Sequence, residues 1–299
     1  MKKPKLFHIH AISPVHVGIG QSVGAVDLPI ARERSSNLPI IPGSAIKGVL
    51  RDHFRSQSSE NIQNTLFGPE NIEKDSDSFA GSLAFGDAIL LALPIRSLVG
   101  VVAFVSSPFL LSRYRESASL CGKDCLPEIP SLDEDKAFVV STGSSGNNVI
   151  LYKSKLILED LDLRGETSEI AEKWSNVLVN VIGAESNFSY FKTRFAIVHD
   201  TVLSFLADTA TEVRTRIRIN DKTGTAQNGA LWYEENLPAE SLLYGILGID
   251  PPHRKDTNID TQKEFEKEME PKDGKGVLLQ IGGKATVGRG LVRFLIDID

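Results

Sequence analysis

The sequence predicts one α+β domain. Strand and helix patterns are interspersed along its 299 residues, without the regular alternation that a doubly wound α/β sheet requires. We detect no repeat at a fixed period and no low-complexity linker, and a chain that is 41% hydrophobic at this length can bury one large core. We therefore expect a ferredoxin-like sheet with large insertions over residues 1–299.

The first half of the chain has clear element boundaries. Alternating polarity predicts a strand over 6–12, and residues 13–42, rich in glycine and proline, form a loop long enough to suggest a function. Ser44 is the expected N-cap of a helix from about Ala45 to Arg55. The remaining expectations are an irregular stretch over 57–80, paired strands over 82–93 and 98–106, a helix over 109–120 and a charged loop over 121–136.

The second half is richer in strands. We expect a hairpin or a paired extension over 137–158 around the turn Gly143–Asn148, a helix over 166–182, and strands over 194–199 and 240–248. A charged helix and loop should occupy 253–275. Two closing strands, 277–281 and 291–296, flank a glycine-rich loop over 282–290.

A hairpin over residues 214–235 is the clearest local pattern. Because side chains alternate across a strand, Arg214, Arg216 and Arg218 fall on one face, opposite Thr215, Ile217 and Ile219. A turn-rich segment over 221–229 connects the two strands. The cationic face suits nucleic acid, but it also suits a solvated edge strand.

Bulk composition excludes few functions. The net charge of −6 and pI of about 5.6 argue against a free-standing nucleic-acid binder, although clustering of cations matters more than the average. No run of about 18 apolar residues exists and the N-terminus does not resemble a signal peptide, so we expect a cytoplasmic protein without a membrane partner. Cys121 and Cys125 have no second pair to complete a zinc site; loop thiols are favoured over a local redox or metal role.

Two segments could contact phosphate. The loop Gly282–Gly290 carries Lys284 and Arg289 among glycines that let backbone N–H groups approach an anion, although a tight β-turn explains the glycines as well. In the first helix Lys47 and Arg51 lie four residues apart on one face, where they could hold a phosphate chain or remain solvated.

Candidate chemical groups lie near the N-terminus. His8 and His10 could ligate a metal, but no third ligand is evident nearby, so a strand role is preferred. His16 could act as an acid–base group or a phosphate contact. Asp27, between apolar neighbours in the long loop, could be a base, a metal ligand or a turn former, and the residues alone favour the turn.

Taken in order, these segments resemble one family, the RAMP superfamily, and within it the backbone subunits of type III-B CRISPR (Cmr) effector complexes. The resemblance runs from about residue 6 to the end of the chain. The matching segments are 13–20, 24–34, 38–48, 94–98, Arg216–Arg218 with Leu231–Glu235, and Gly282–Gly290.

The resemblance implies an RNA-guided endoribonuclease. The expected fold is a modified ferredoxin-like, RNA-recognition palm with a hairpin thumb at about 212–236, and the expected partners are guide (CRISPR) RNA, single-stranded target RNA, other Cmr subunits and further copies of the chain in a filament. Target RNA would be cut at regular intervals with a divalent metal, Mg or Mn, and no organic cofactor.

The resemblance also assigns residues. Asp27 matches the catalytic aspartate, as base or transient metal ligand, and His16 and Glu234 match positions near the cleavage site. Asn236 stands where relatives often carry an aromatic residue, so it receives no catalytic role. The RNA-binding residues implied are Lys47, Arg51, Arg214, Arg216, Arg218, Gly283, Lys284 and Arg289.

Three alternatives remain at this stage. The chain could be a non-catalytic RNA-binding scaffold of the superfamily, in which Asp27 is structural. It could be a guide-processing endoribonuclease of the superfamily, although a compact histidine-centred site is not evident. A nucleotide-binding metabolic enzyme that uses the glycine-rich loop is the alternative from another class.

Overall fold

A computed structural model describes residues 4–20, 26–70, 79–141, 148–182, 189–220, 222–254, 257–270 and 276–296. The helices are α1 (Gly43–Arg55), α2 (Glu60–Phe67), α3 (Pro108–Leu120), α4 (Glu169–Val181), α5 (Ser189–Thr193), α6 (Asp200–Thr209) and α7 (Thr261–Met269). The strands are β1 (Lys5–Ala11), β2 (Ile40–Ile41), β3 (Leu83–Phe85), β4 (Ala88–Ser97), β5 (Val101–Ser106), β6 (Lys136–Val139), β7 (Leu151–Tyr152), β8 (Lys155–Leu158), β9 (Leu161–Thr167), β10 (Phe195–Val198), β11 (Glu212–Ile219), β12 (Ala226–Asn236), β13 (Leu242–Ile249), β14 (Val277–Gln280) and β15 (Leu291–Ile296).

A 13-stranded mixed sheet organises the fold. Its main order is β14-β15-β1-β13-β4-β5-β10-β6-β9-β8-β7, with β2 and β3 paired to β4 and β13. The pairs β5–β10 and β6–β9 are parallel, and β1 lies antiparallel between β13 and β15. The hairpin β11–β12 forms a separate two-stranded sheet.

Apolar clusters cover the main sheet on both faces. Along β1, Phe7 and Ile9 join one cluster whereas Leu6 joins the other, as the alternation of a strand requires. The first cluster recruits α1, α2, α6 and α7, and its aromatic centre includes Phe54 stacked on Phe265. The second recruits α3, α4 and α5 around the fully buried Trp174. Every residue of β1 is buried for this reason.

Most predicted elements are confirmed to within a few residues. The strands at 6–12, 194–199, 240–248, 277–281 and 291–296 are present as β1, β10, β13, β14 and β15, and the helices at 109–120 and 166–182 as α3 and α4. The apolar runs at 82–93 and 98–106 form β3, β4 and β5, and the charged stretch after 253 contains α7. The prediction of a fold that mixes helices and strands is therefore confirmed.

Three local predictions are wrong. Ser44 lies inside α1, which begins at Gly43, and the Gly43 N–H donates instead to Asp87 Oδ1 at 2.8 Å. Residues 60–67, predicted irregular, form α2 because Ser59 caps the segment and Leu66 and Phe67 are buried. Strand β6 does not pair with β7 or β8: it joins β9 and β10, while β7 and β8 form a tight hairpin of their own.

Several predicted features fall outside the described residues, namely the turn at 143–147, Gly24 in the long loop, residue 221 of the hairpin turn and 271–275 of the charged stretch. Strand β9 and helix α6 appear where no element was predicted. Across the described ranges, no helix is long and apolar enough to cross a membrane.

Candidate functional site

Asp27 is fixed against the edge of β12. Its Oδ2 accepts a hydrogen bond of 2.7 Å from the Tyr233 N–H. The backbone of Leu28 continues the contact, donating to Tyr233 O at 3.1 Å and accepting from the Glu235 N–H at 3.0 Å. The loop therefore forms a single parallel bridge with β12. Among the described residues, the second carboxylate oxygen of Asp27 has no hydrogen-bond partner.

His16 lies on the same segment of β12. Its Nδ1 is 2.7 Å from the carbonyl oxygen of Glu235, and the side chain is 6% exposed. A carbonyl only accepts, so His16 Nδ1 carries a proton, and Nε2 is the ring nitrogen that can exchange a proton with a ligand. The absent side chain of Gly18 makes room for the ring, because a Cβ there would lie 2.8 Å from His16 Nε2.

Glu234 is buried among cations on the other face of β12. The side chain is 1% exposed, and its Oε2 lies 3.5 Å from Arg216 Nε and 3.8 Å from Lys284 Nζ. Neither carboxylate oxygen has a hydrogen-bond partner in the described part of the protein. Glu234 is thus the counter-charge of a cationic cluster, which we define as Arg214, Arg216, Lys284 and Arg289.

The glycine-rich loop supplies two members of this cationic cluster. The Gly283 N–H donates to the His16 carbonyl at 2.9 Å, so the loop packs directly on the His16 segment. Lys284 adopts a left-handed φ of 67° at its turn. Arg289 is 6% exposed; burial, followed by repulsion from Arg214 and Arg216, lowers the pKa of its guanidinium.

The two faces of hairpin β11–β12 differ as predicted, and the arginine face is partly exposed, with Arg214 49% and Arg216 30% accessible. Arg214 pairs with Glu234 and Arg216 with Trp232, so these four side chains share one face, and that face carries the buried Glu234. The apolar face is open: Val213, Ile217, Ile219, Leu231 and Tyr233 are between 40% and 56% exposed. Arg218 is also exposed.

Lys47 and Arg51 are brought together on α1, but their head groups contact protein. Lys47 Nζ donates to Leu83 O at 3.1 Å and Arg51 Nη2 donates to Gly68 O. Burial, and then the charge of Arg51, lowers the pKa of the Lys47 ammonium. An open groove of about 660 Å³ lies between Arg51, the side-chain-free surface at Gly48 and Gly282 of the glycine-rich loop.

The histidines of β1 have structural partners, as the strand interpretation predicted. His8 Nε2 is 3.1 Å from Tyr114 Oη, and His10 Nε2 is 3.0 Å from Glu240 Oε2. Cys121 is buried and Cys125 exposed, and they are not joined by a disulfide.

Asp27 suits a metal that is shared with a substrate. Among the described residues, no three His, Cys, Asp or Glu side chains converge as ligands. Mg²⁺ is commonly held by one or two carboxylates together with substrate phosphates and water. The one unused oxygen of Asp27 fits that pattern, whereas the cations around Glu234 make its carboxylate a poor ligand.

Arg32 and Glu235 were missed as site residues by sequence reasoning. They pair at 2.7 Å and connect the Asp27 loop to β12. Both lie within segments that carry the family resemblance, Arg32 beside Glu33 and Glu235 beside Glu234. The available signal was their position within these segments, but only the fold brings the two segments together.

Comparison with known proteins agrees with these features. The model of the RAMP superfamily matches residues 8–293. The "CRISPR system Cmr endoribonuclease Cmr4" of Pyrococcus furiosus is 36% identical over 97% of this chain and 95% of its own length. The "CRISPR system CMR subunit Cmr4" of Saccharolobus solfataricus is 26% identical over 98% and 97%.

Solved structures agree as well. The crystal structure of oligomeric Cmr4 from Pyrococcus furiosus superposes with a TM-score of 0.74 at 30% identity, covering 99% of both chains. A chain of the type III-B Cmr-beta complex bound to cognate target RNA superposes with a TM-score of 0.72 at 20% identity, covering 98% and 96%. At 20% identity, the similarity to the Cmr-beta chain shows a shared fold and no more.

Proposed function

This chain belongs to the RAMP superfamily and to its Cmr4 group, and from that premise we propose that it is an endoribonuclease and backbone subunit of a type III-B CRISPR effector complex. Guide RNA, target RNA, other Cmr subunits and further copies of the chain are its proposed partners, in the cytoplasm. The main sheet would act as the ferredoxin-like palm and hairpin β11–β12 as the thumb.

One observation carries the catalytic part of the proposal. Three consecutive residues of β12 each hold a different candidate group: Tyr233 binds Asp27, Glu234 faces Arg216 and Lys284, and the Glu235 carbonyl binds His16. A carboxylate, an imidazole and several cations are thereby gathered at one short segment. These are the components that cleavage of a phosphodiester requires: a base, an acid–base partner and stabilisation of negative charge.

The proposed reaction is an internal transesterification of RNA. The free oxygen of Asp27 would accept the proton of the ribose 2′-OH, whose oxygen attacks the adjacent phosphorus as the bond to the 5′-oxygen breaks. The departing 5′-oxygen takes a proton from solvent water, which leaves a 2′,3′-cyclic phosphate and a free 5′-OH. In the alternative role of Asp27, the same oxygen would instead hold a divalent metal, Mg or Mn, together with RNA phosphate, and the metal would supply Lewis-acid stabilisation.

The cationic cluster would hold the RNA backbone. Gly282 of the glycine-rich loop lines the groove beside α1, and Lys284 of the same loop lies 3.8 Å from Glu234 on the hairpin, so a phosphate chain could pass from α1 to the hairpin. Protein contacts to phosphate position RNA without reading its sequence, which base pairing with the guide would supply.

The test uses the complex reconstituted with guide RNA and an end-labelled complementary target, comparing wild type with Asp27→Ala. We expect regularly spaced, metal-dependent products from the wild type and none from the variant, with target binding retained. Omitting the metal and then restoring Mg or Mn tests the metal dependence directly.

Each alternative function predicts a different experimental result. Products that persist in Asp27→Ala would move the chemistry to another residue, and no products from either protein would favour the non-catalytic scaffold. Cleavage of precursor guide RNA by the isolated chain would identify a guide-processing enzyme. Thermal stabilisation of the isolated chain by a free nucleotide would favour the metabolic enzyme.

A further inference from the structure

The Glu235 carboxylate joins three separate segments. It is 6% exposed and accepts hydrogen bonds from the Ile30 N–H at 3.1 Å, from Arg32 Nη2 at 2.7 Å and from Thr211 Oγ1 at 2.9 Å. Ile30 and Arg32 belong to the Asp27 loop, whereas Thr211 immediately precedes β11. One buried carboxylate thus holds the loop and the base of the hairpin together.

Arg32 extends this connection to α6. Its Nη2 also donates to Ala207 O at 3.1 Å, and its Nη1 donates to Asn37 O at 2.8 Å and to Asp208 Oδ1 at 3.3 Å. These bonds use the planar, multiply donating fork of a guanidinium, which a lysine ammonium cannot reproduce. The identity of the residue therefore matters as well as its charge.

The Arg32–Glu235 pair lies close to Asp27 along the same backbone. Residues 28 and 30 are both bonded to β12, so the chain from Asp27 to Arg32 is fixed at several points. Among the described residues, Arg32 makes two contacts with charged side chains, and its contact with Glu235 at 2.7 Å is shorter than its contact with Asp208 at 3.3 Å. Breaking the contact between Arg32 and Glu235 would free the Arg32 end of the loop to shift along β12. A displacement of about 1 Å at a reacting group can cost about 100-fold in rate.

We propose that Arg32 and Glu235 form a positioning clasp, which holds Asp27 in register with the base of hairpin β11–β12. This inference rests on the proposed function, in which hairpin β11–β12 acts as the thumb and Asp27 acts in cleavage of the bound RNA. The clasp residues touch neither RNA nor the reacting atoms. Their role is to keep Asp27 and the base of the thumb hairpin at a constant separation.

The test combines single-turnover cleavage by the assembled complex with hydrogen exchange. Arg32→Lys, Arg32→Ala and Glu235→Gln are compared with Arg34→Ala, which removes an exposed arginine two residues away. We expect each clasp variant to cleave about 10- to 100-fold more slowly at saturating target, with target Kd changed by less than about twofold. Exchange should accelerate at Leu28 and Glu235 but not along β1.

Non-additivity tests whether the two residues act together. The double variant Arg32→Ala/Glu235→Gln should lose no more rate than the worse single variant, because either change opens the same clasp. Losses that multiply would overturn the proposal. Arg32→Lys preserves charge and size, so it keeps the test available if the alanine variant fails to assemble.

Two results would contradict the clasp without touching the proposed function. One is wild-type cleavage in a variant whose exchange at Leu28 has accelerated, and the other is slow cleavage with unchanged exchange. The proposed function is contradicted by a different result, namely cleavage at the wild-type rate by Asp27→Ala. The hydrogen-exchange measurements on the clasp variants do not depend on that result.

Discussion

Glu234 presents the sharpest electrostatic conflict among the described residues. A buried carboxylate without hydrogen bonds is costly, yet here it faces Arg216 and Lys284 at 3.5 and 3.8 Å. Arg289, itself buried, lies within reach of the same charge. Glu234 therefore offsets repulsion that would otherwise separate the hairpin from the glycine-rich loop.

Neutralising Glu234 should destabilise the folded chain. We expect Glu234→Gln to lower the free energy of unfolding by about 3 kcal/mol, because it leaves partly buried cations without their counter-charge. The matched control, Glu212→Gln, removes a more exposed partner of Arg214 and should cost less than about 1 kcal/mol. Urea unfolding measures both, and equal losses would mean that burial gives Glu234 no special role.

The start of α1 depends on a residue distant in sequence. The helix needs an acceptor for its first N–H groups, and Asp87 supplies it to Gly43. Gly43 itself is required by close packing, since a Cβ there would lie 2.4 Å from Phe85 O. Sequence reasoning placed the helix correctly but selected Ser44 as its cap, because a local rule considers only neighbouring side chains.

Two alanine variants distinguish these caps. Asp87→Ala should lower the free energy of unfolding by about 1 kcal/mol, the usual cost of losing an N-terminal cap. Ser44→Ala, at an exposed position without a capping bond, should change it by less than about 0.5 kcal/mol. Thermal unfolding of both variants is sufficient, and a larger loss for Ser44→Ala would restore the prediction from sequence.

In hairpin β11–β12, the strand pattern predicts which side chains share a face but not which face is covered by the rest of the protein. Period-two alternation correctly placed Arg214 and Arg216 opposite Ile217, and the observed register confirms it. Which face is covered depends on the glycine-rich loop, about 70 residues later in the chain. The sequence pattern carries no information about that contact, so the open apolar face was not predicted.

The hairpin arginines should control the salt dependence of RNA binding. Each lost phosphate contact on single-stranded RNA lowers the slope of log K against log salt by about 0.7. We therefore expect Arg214→Ala/Arg216→Ala/Arg218→Ala to weaken guide binding and to reduce the slope by up to about 2. Filter binding at several salt concentrations measures it, with Arg164→Ala, an exposed arginine paired to Asp135, as the control.

Across the whole molecule, pairing between distant segments limited prediction more than local propensity did. Strand β6 was expected to fold back on its sequence neighbours but instead joins β9 in parallel and β10 in antiparallel orientation. The site shows the same limit. Asp27, His16 and Glu234 were identified by resemblance, whereas the Arg32–Glu235 contact, 203 residues apart in sequence, required the fold.

Buried tyrosines on one side of the sheet make the fold sensitive to alkali. Burial raises the pKa of Tyr244 to about 12, and burial together with a hydrogen bond to Glu240 raises the pKa of Tyr190 further. Their ordinary pKa is 10.0, so above that pH the unfolded chain loses protons that the folded chain keeps. Stability is therefore fully present below pH 10 and declines as the pH rises toward 12.

Removing one of these phenols should flatten that decline. The fold of a Tyr244→Phe variant should lose less stability than the wild type between pH 9 and 11, and the difference should approach about 1.4 kcal/mol per pH unit above the ordinary pKa. Tyr152→Phe, which alters a half-exposed ring, should follow the wild-type curve. Urea unfolding at each pH gives the slopes. If all three proteins lost stability in parallel, the alkaline sensitivity would have to come from groups other than the buried phenol of Tyr244.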